Sequence, residues 1–352
     1  MRNARQQFRP RGMRSLATVA HEREFSSAIS FLRPVERLQM NQGNYHQPVL
    51  EKEITELLAS QTAGVVIDAT LGGGGHTAAL LARAPHIRVL GIDRDDAAHE
   101  AASLRLAEFG DRVRLVKATF AEMEGVVARE AAWIAGEPIV GVLLDLGVSS
   151  RQLDDATRGF SYRADAPLDM RMDPSTGESA AEYIARVDVH ELVAILRENG
   201  ESRFAGAIAH SMKRGLPTTT EELTSCVEAA VPMAARRRGH VATRAFQALR
   251  IAVNGEAEQL VEGLSSAIDL LSISGVVVVI SYHSGEDRVV KEILHEAHTG
   301  GCHCPKALGC VCGAIPRVEV FKASAILPSA EESESNPRAR SARLRIAKKV
   351  TQ

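Results

Sequence analysis

Val65-Val66-Ile67-Asp68-Ala69-Thr70-Leu71-Gly72-Gly73-Gly74-Gly75-His76-Thr77 is the stretch that decides the fold. An apolar run closing in an acid reads as a buried strand, the glycines as a tight turn, and His76-Thr77 as a helix start. A second apolar run, Leu90-Gly91-Ile92, ends in Asp93, about 20 residues beyond the first glycine. Strand, glycine loop, helix start and a second strand tipped by a carboxylate make a cradle for a nucleoside. The glycines let backbone approach the ligand, and the distal acid takes the ribose hydroxyls.

Which nucleoside follows from charge. Dinucleotide folds prefer G-x-G-x-x-G after the first strand. Here four consecutive glycines follow an acid that sits inside the strand. Asp68 would repel a pyrophosphate. It suits a ligand that carries a cation, such as the sulfonium and α-ammonium of S-adenosylmethionine. A flexible glycine turn is the plain alternative, and the spacing to Asp93 decides against it.

Outward from this stretch the pattern alternates. Strands are expected at about 64–70, 88–93, 112–118 and Ile139–Asp145, with helices at about 76–84, 95–109 and 121–135 between them. Continuous apolar strands alternating with helices mean a parallel sheet covered on both faces, with the ligand at the carboxyl ends of the strands. Asp68, Asp93 and Asp145 all fall on that rim. From 151 to 254 strands are scarce. Asp188-x-x-Glu191 opens a helix as a capping box with Gly200 as its stop, Phe204 and Ile208 continue a helical face up to Gly215, and Thr219-x-x-Glu222 opens another helix. The sheet pattern resumes with a helix striped by Leu260, Leu264 and Ile268, a strand over Gly275–Tyr282, a helix at about 286–297 and a last strand at Ser341–Ala347. The expected organisation is a methyl-donor-type α/β domain over 41–150 and 255–352, with a helical insert over 151–254. The Ser/Glu/Pro-rich stretch at 328–340 reads as a mobile loop.

Composition sets bounds. The chain has 352 residues, 45% of them hydrophobic, enough for a sizeable core. Lys+Arg at 42 nearly balances Asp+Glu at 44, so a basic coat is absent and RNA contact needs a local patch. No apolar stretch reaches bilayer-spanning length. The cysteines do not suggest a disulfide framework, so a reducing, cytoplasmic setting is the expectation. Residues 1–40 hold eight arginines and three acids. They read as a disordered extension, or a start placed too early with Met40 as the true beginning, in preference to an organelle leader.

Several segments carry chemistry. Asp145-Leu146-Gly147-Val148-Ser149-Ser150-Arg151-Gln152 follows a strand tip with small residues that admit a planar substrate; Asp145, Ser149, Ser150 and Gln152 offer acceptors and donors there. The other reading is a turn with helix-capping residues. His283, Glu286 and Asp287 reach the same rim, with capping of the next helix as the competing role. Asp165, Asp169 and Asp173 read as a structured loop, not a metal site. Arg236, Arg237, Arg238 and His240, with Arg244 and Arg250, form the best phosphate-binding patch, and Arg338, Arg340, Arg343 and Arg345 offer a second basic edge. Cys302, Cys304, Cys310 and Cys312 make C-x-C-x5-C-x-C. Four soft ligands could hold zinc, although C-x2-C is the usual spacing; a reduced surface loop is the alternative.

Taken together, these segments resemble the bacterial ribosomal-RNA cytosine-N4-methyltransferase family, known as RsmH or MraW. The resemblance rests on Tyr45–Leu50, Asp68–Thr77, Gly91–Asp95, Leu143–Asp155, Arg158–Tyr162, Pro167–Asp173, Thr243–Arg250, Ser281–Arg288 and Asn336–Ser341, in one order over about 44–349. It implies a class I S-adenosylmethionine-dependent methyltransferase sheet (Rossmann-like, mostly parallel) with a helical insert. It implies methylation of the exocyclic amine of a cytosine in the decoding region of small-subunit ribosomal RNA. Carried over by position, the cofactor contacts fall on Gly75, His76, Thr77, Asp93, Phe120, Asp145 and Gln152. Phe120, from its pattern alone, reads as a core aromatic. The family more often has Phe and Leu where this chain has Tyr282 and Gly285, and the Asp/Asn-Pro-Pro-aromatic loop of many amino-methyltransferases is missing. Asp145, Ser149 and Ser150 are the candidate acceptors for the amine protons. The implied partner is ribosomal RNA or the small ribosomal subunit, with no membrane, and a homodimer is left open. Two rivals remain: an NAD-dependent oxidoreductase, which lacks the third spaced glycine here, and an RNA-binding assembly factor with a vestigial pocket, which would bind both ligands without methyl transfer.

Overall fold

Strands that are apolar at every position have no face to spare for water, so they must be covered on both sides. The computed structural model, which describes residues 47–236, 242–305, 311–322 and 324–351, shows how. Helix α1 (Glu51–Ala59) precedes β1 (Gly64–Asp68), α2 (Gly75–Arg83), β2 (Ile87–Asp93), α3 (Asp96–Leu106) and β3 (Val113–Lys117). Then come α4 (Met123–Arg129), α5 (Ala131–Ile134) and β4 (Ile139–Asp145). Alternate residues of each strand point to opposite faces. Val65, Ile67, Leu90, Ile92, Val142 and Leu144 join one core cluster. Val66, Val89, Leu143 and Ile280 join another, with Ile54 and Leu58 of α1 and Leu80 and Leu81 of α2.

After β4 the chain turns helical, with α6 (Ser150–Asp154), α7 (Ala180–Arg186), α8 (Val189–Glu198), α9 (Ala205–Gly215), α10 (Thr220–Ala230), α11 (Met233–Arg236) and α12 (Ala242–Asn254). Among the described residues this segment contains no strand, only a bridge between Pro167 and Thr219. It buries its own core, built on Leu192, Leu196, Ile208, Met212, Leu223, Val227, Phe246 and Leu249. Thr219 and Glu222 form the expected reciprocal capping box. At Asp188 only half of one forms: its carboxylate accepts from the Glu191 amide, but Glu191 turns to the Tyr183 hydroxyl, at 2.9 Å.

The sheet resumes with α13 (Glu256–Leu270), β5 (Val276–Ser281), α14 (Ser284–Thr299), β6 (Val318–Val320), α15 (Ala330–Ser335) and β7 (Arg343–Lys349). The strand order is β3-β2-β1-β4-β5-β7-β6. The first five run parallel, and β7 is antiparallel to both neighbours. The loop expected at 328–340 is instead ordered around α15. Ser329 caps that helix, Glu332 accepts the Leu50 amide at 2.7 Å, and the Asn336 amide donates to the Gln47 carbonyl at 3.1 Å. A composition that reads as disorder is held here by its polar groups, which clasp the segment before α1. Among the described residues no helix is long and apolar enough to cross a membrane. The reading of residues 1–40 lies outside the described residues.

Candidate active site

The strand order reverses between β1 and β4, and in open parallel sheets ligands bind outside the carboxyl ends at such a point. Asp68 ends β1, Asp145 ends β4 and Asp93 ends the adjoining β2. The three acids expected on one rim therefore stand on neighbouring strands.

The glycine turn joins β1 to α2. Gly72 and Gly74 have φ of 50° and 72°, a backbone state that strains any side chain, and Gly74 is the N-cap of α2. This path brings the Gly72 amide to Asp93 Oδ2 at 2.8 Å, while the Asp95 amide donates to Oδ1 at 2.9 Å. Two backbone donors thus fix the Asp93 carboxylate and leave lone pairs on both oxygens. Burial raises the pKa of Asp93; those two hydrogen bonds act against the rise.

Asp68 accepts a 2.6 Å hydrogen bond from the Thr77 hydroxyl at Oδ2, and its Oδ1 is buried with no partner. Burial pushes its pKa up to about 6 against the Thr77 bond. His76 is buried and neither ring nitrogen has a hydrogen-bond partner. Burial lowers its pKa to about 4, so the ring is neutral at neutral pH. Its Nε2 stands 3.7 Å from Asp145 Oδ2. That is too long for a hydrogen bond, and with a neutral ring it is not an ion pair.

Asp145 is the acid at the switch point. Its amide donates to the Thr70 hydroxyl at 2.6 Å, and its Oδ1 accepts from the Tyr282 hydroxyl at 2.8 Å. Burial pushes its pKa up to about 7; the Tyr282 bond opposes this, while the Asp68 and Glu286 charges add to it. Its side chain nonetheless keeps 26% exposure, so a ligand can reach it. A buried carboxylate oxygen and two buried imidazole nitrogens without partners are costly unless a guest satisfies them. Beside two carboxylates, that guest is a cation with polar groups. The donor set fits the ammonium, sulfonium and ribose of S-adenosylmethionine, and Asp93 stands ready for the ribose.

Gln152 lies behind this rim. Its amide nitrogen donates to Asp95 Oδ2 at 2.8 Å and its carbonyl accepts from the Ser149 amide at 2.9 Å. The Ser149 hydroxyl accepts from the Gln152 amide, so both residues cap α6. Arg158 completes the brace, reaching Asp95 at 3.0 Å and the carbonyls of Arg171 and Met172. Ser150 opens α6. Phe120 sits in the turn after β3, partly buried against the main core. A Cβ on Gly263 of α13 would lie 2.4 Å from its ring, so the glycine makes room for the aromatic. Gly75 and Thr77 stand in the first turn of α2, with Thr77 turned to Asp68.

Other sequence candidates are placed differently. His283 caps α14 by accepting from the Glu286 amide, and Glu286 takes the Tyr282 amide at 2.9 Å. Arg250, expected in a phosphate patch, is buried between Glu256 at 2.8 Å and Glu286 at 3.6 Å. In the second basic edge Arg343 and Arg345 both bind Asp287, Arg338 binds Asp154 and Arg340 bonds the Ser333 carbonyl. Each arginine meets an acid or carbonyl supplied by the fold. Arg237, Arg238 and His240 lie outside the described residues, as does Cys310. Arg244 contacts Glu201 at 3.2 Å and keeps 61% side-chain exposure. Asp169 pairs with Arg171, Asp173 with Lys117, and Asp165 accepts from the Glu221 amide. Sequence reasoning missed Tyr282 as a partner of Asp145 and Asp95 as the node of the brace. For Tyr282 the signal was its departure from the family's Phe.

A sheet in this order with β7 reversed, and acids suited to a cation at its switch point, define a class I S-adenosylmethionine-dependent methyltransferase. The chain belongs to the MraW methylase family, whose pattern it matches over residues 43–350. It is 46% identical over 313 residues to the ribosomal RNA small subunit methyltransferase H of Heliobacterium modesticaldum, an alignment covering 87% of this chain and 99% of the relative. It is 45% identical over 312 residues to the protein of the same name from Geobacter sulfurreducens, with the same coverages. Among solved structures, a putative rRNA-methylase from Clostridium thermocellum aligns with 88% of this chain and 100% of its own at 15% identity and a TM-score of 0.40, too distant to add to the fold argument.

Proposed function

We propose that this chain methylates the exocyclic N4 amine of a cytosine in the decoding region of small-subunit ribosomal RNA. The observation that carries the reading is the rim itself: Asp145, bonded by Tyr282, beside unpartnered His76 and the open oxygen of Asp68. The names of the relatives support small-subunit RNA as the substrate.

Bound S-adenosylmethionine supplies a methyl group activated by a positive sulfur. Gly75, His76, Thr77, Asp93, Phe120, Asp145 and Gln152 form its seat in this reading, with Thr77 and Gln152 acting through the groups they brace. The amine of cytosine is a weak nucleophile because its lone pair is delocalised into the ring. Asp145 meets that difficulty by accepting a hydrogen bond from the amine and taking a proton once the methyl has moved. In the cofactor-free chain burial pushes its pKa up to about 7, and the positive charge of the bound donor favours the ionised carboxylate, the form that can accept a proton. Ser149 and Ser150 are the further acceptors proposed. The cytosine enters beside Gly147, which carries no side chain of its own and faces Tyr282, Arg250 and Glu286 at ordinary contact distance.

The α/β part, 41–150 and 255–352, is the methyltransferase domain in this reading, and the helical segment 151–254 is its RNA-recognition insert. Arg244 supports that assignment by its exposure. The test is to incubate small ribosomal subunits lacking the modification with the enzyme and methyl-labelled S-adenosylmethionine, then digest the RNA to nucleosides. Label in N4-methylcytidine, abolished by Asp145→Ala, supports the reading. Label in another nucleoside, or none, overturns it.

A further inference from the structure

Cys302, Cys304 and Cys312 bring their three sulfur atoms within 4.8 Å of one another, in the connection from α14 to β6. Nothing in the methyl-transfer reading uses them. The convergence is built by the backbone. Gly300 ends α14 with φ of 62°, and a Cβ there would lie 2.4 Å from the Ile315 carbonyl oxygen, so the returning chain passes directly over the helix end. The Arg317 amide then bonds the Ala297 carbonyl at 2.8 Å, and His298 Nδ1 lies 3.1 Å from the Val318 carbonyl oxygen. These contacts close the base of the loop. The cysteines sit beyond them.

Among the described residues, apolar burial does not hold that tip. Val311 is 85% exposed and Ile315 66% exposed. Ordering a loop costs about 1–2 kcal/mol per residue in backbone entropy. Converging thiols at an exposed tip need a stronger tie than their weak hydrogen bonds.

We propose that Cys302, Cys304 and Cys312 bind a soft divalent cation of the zinc class as a structural staple. Each thiol gives its proton to solvent and each thiolate forms one sulfur–metal bond; no electron is transferred. In a tetrahedral site with metal–sulfur bonds of about 2.3 Å, the sulfurs stand roughly 3.8 Å apart. The observed spread needs only a small closing of the loop. The fourth corner is open to water or to another donor. Because α14 starts at the rim and spans 16 residues, it carries the cluster roughly 24 Å from the cofactor seat. The staple therefore supports the edge strand β6 and takes no part in methyl transfer.

The test uses the full chain, purified in reducing buffer without chelator. Elemental analysis should find about one zinc per chain. Replacement by Co2+ should produce thiolate charge-transfer absorption and the visible bands of a tetrahedral site. C302S/C304S should lose the metal. Stripping the wild-type chain with a chelator should lower its unfolding temperature, and added Zn2+ should restore it, with S-adenosylhomocysteine affinity unchanged to about twofold. Should the double variant fail to fold, C312S and the cobalt spectrum decide the question. No stoichiometric metal in the zinc-reconstituted folded chain, metal content indifferent to these substitutions, or a disulfide among the three would overturn the proposal. Loss of S-adenosylhomocysteine affinity on stripping would overturn the structural role.

Discussion

Tyr282 Oη donates a 2.8 Å hydrogen bond to Asp145 Oδ1, linking the tip of β5 to the tip of β4 across the switch point. The bond favours the ionised carboxylate at a position where burial disfavours it. Tyr282→Phe, the residue the family more often carries here, should fold and keep its affinity for S-adenosylhomocysteine. It should push the Asp145 pKa higher, so the acidic limb of the rate-against-pH profile moves to higher pH. A neutral-pH rate loss of about 1–2 kcal/mol in activation energy is expected from one hydrogen bond to a charged group. An unchanged profile would show that the phenol does not act on Asp145.

Gly263 and Phe120 give a test of the adenine side. Gly263→Ala places a methyl 2.4 Å from the present ring position, so Phe120 must move. The expected result is a weaker S-adenosylhomocysteine affinity by about tenfold, with a stability loss of about 1–3 kcal/mol from overpacking. Calorimetry and chemical denaturation measure the two separately. Lost stability with intact affinity would return Phe120 to the role of a core aromatic.

Asp93→Ala removes the acceptor for the Gly72 and Asp95 amides as well as the proposed ribose contact. Cofactor affinity should fall by about 1–3 kcal/mol. Titration calorimetry gives this directly, and equal affinities in the two proteins would count against a ribose role.

Arg250 is predicted to matter for folding more than for RNA. It sits between Glu256 and Glu286, both shielded from solvent. Burial pushes Glu286 up, and His283 together with the Arg250 charge brings it below its ordinary value. Arg250→Ala leaves two carboxylates without their cation and should cost about 3–5 kcal/mol in urea denaturation. A stable variant with weakened RNA binding would restore the phosphate reading.

Much of this was legible in the chain because the sheet is periodic and the rim is local. Asp68, the glycines and His76 lie in one continuous stretch, and strands covered on both faces leave an unbroken apolar signature. What was hidden depends on distant pairing. Arg343 and Arg345 read as a basic edge until β7 is laid against β5 and α14 presents Asp287 to both. The segment around α15 reads as disorder because its order comes from hydrogen bonds to Leu50 and Gln47, 282 and 289 residues away. Tyr282 could be seen as a departure but not as a donor, since only the fold brings it to Asp145.

The titration of Asp68 and Asp145 also sets the stability of the cofactor-free chain. Their ordinary value is 3.8, and in the fold burial pushes them up to about 6 and about 7. The folded chain therefore holds protons that the unfolded chain releases. Their contribution to stability is full below pH 3.8 and is lost as pH rises through about 6 and about 7. Asp68→Asn and Asp145→Asn should each flatten that decline when unfolding is followed across this window.

Proton release on cofactor binding tests the central claim, that these buried carboxylates receive the cationic methyl donor. Calorimetric titration with S-adenosylmethionine near pH 6.5, repeated in buffers of different ionisation enthalpy, should show net release of protons as both acids ionise against the ligand. The release should shrink in Asp68→Asn and in Asp145→Asn. Tight binding with no proton release, the same in wild type and both variants, would contradict the account.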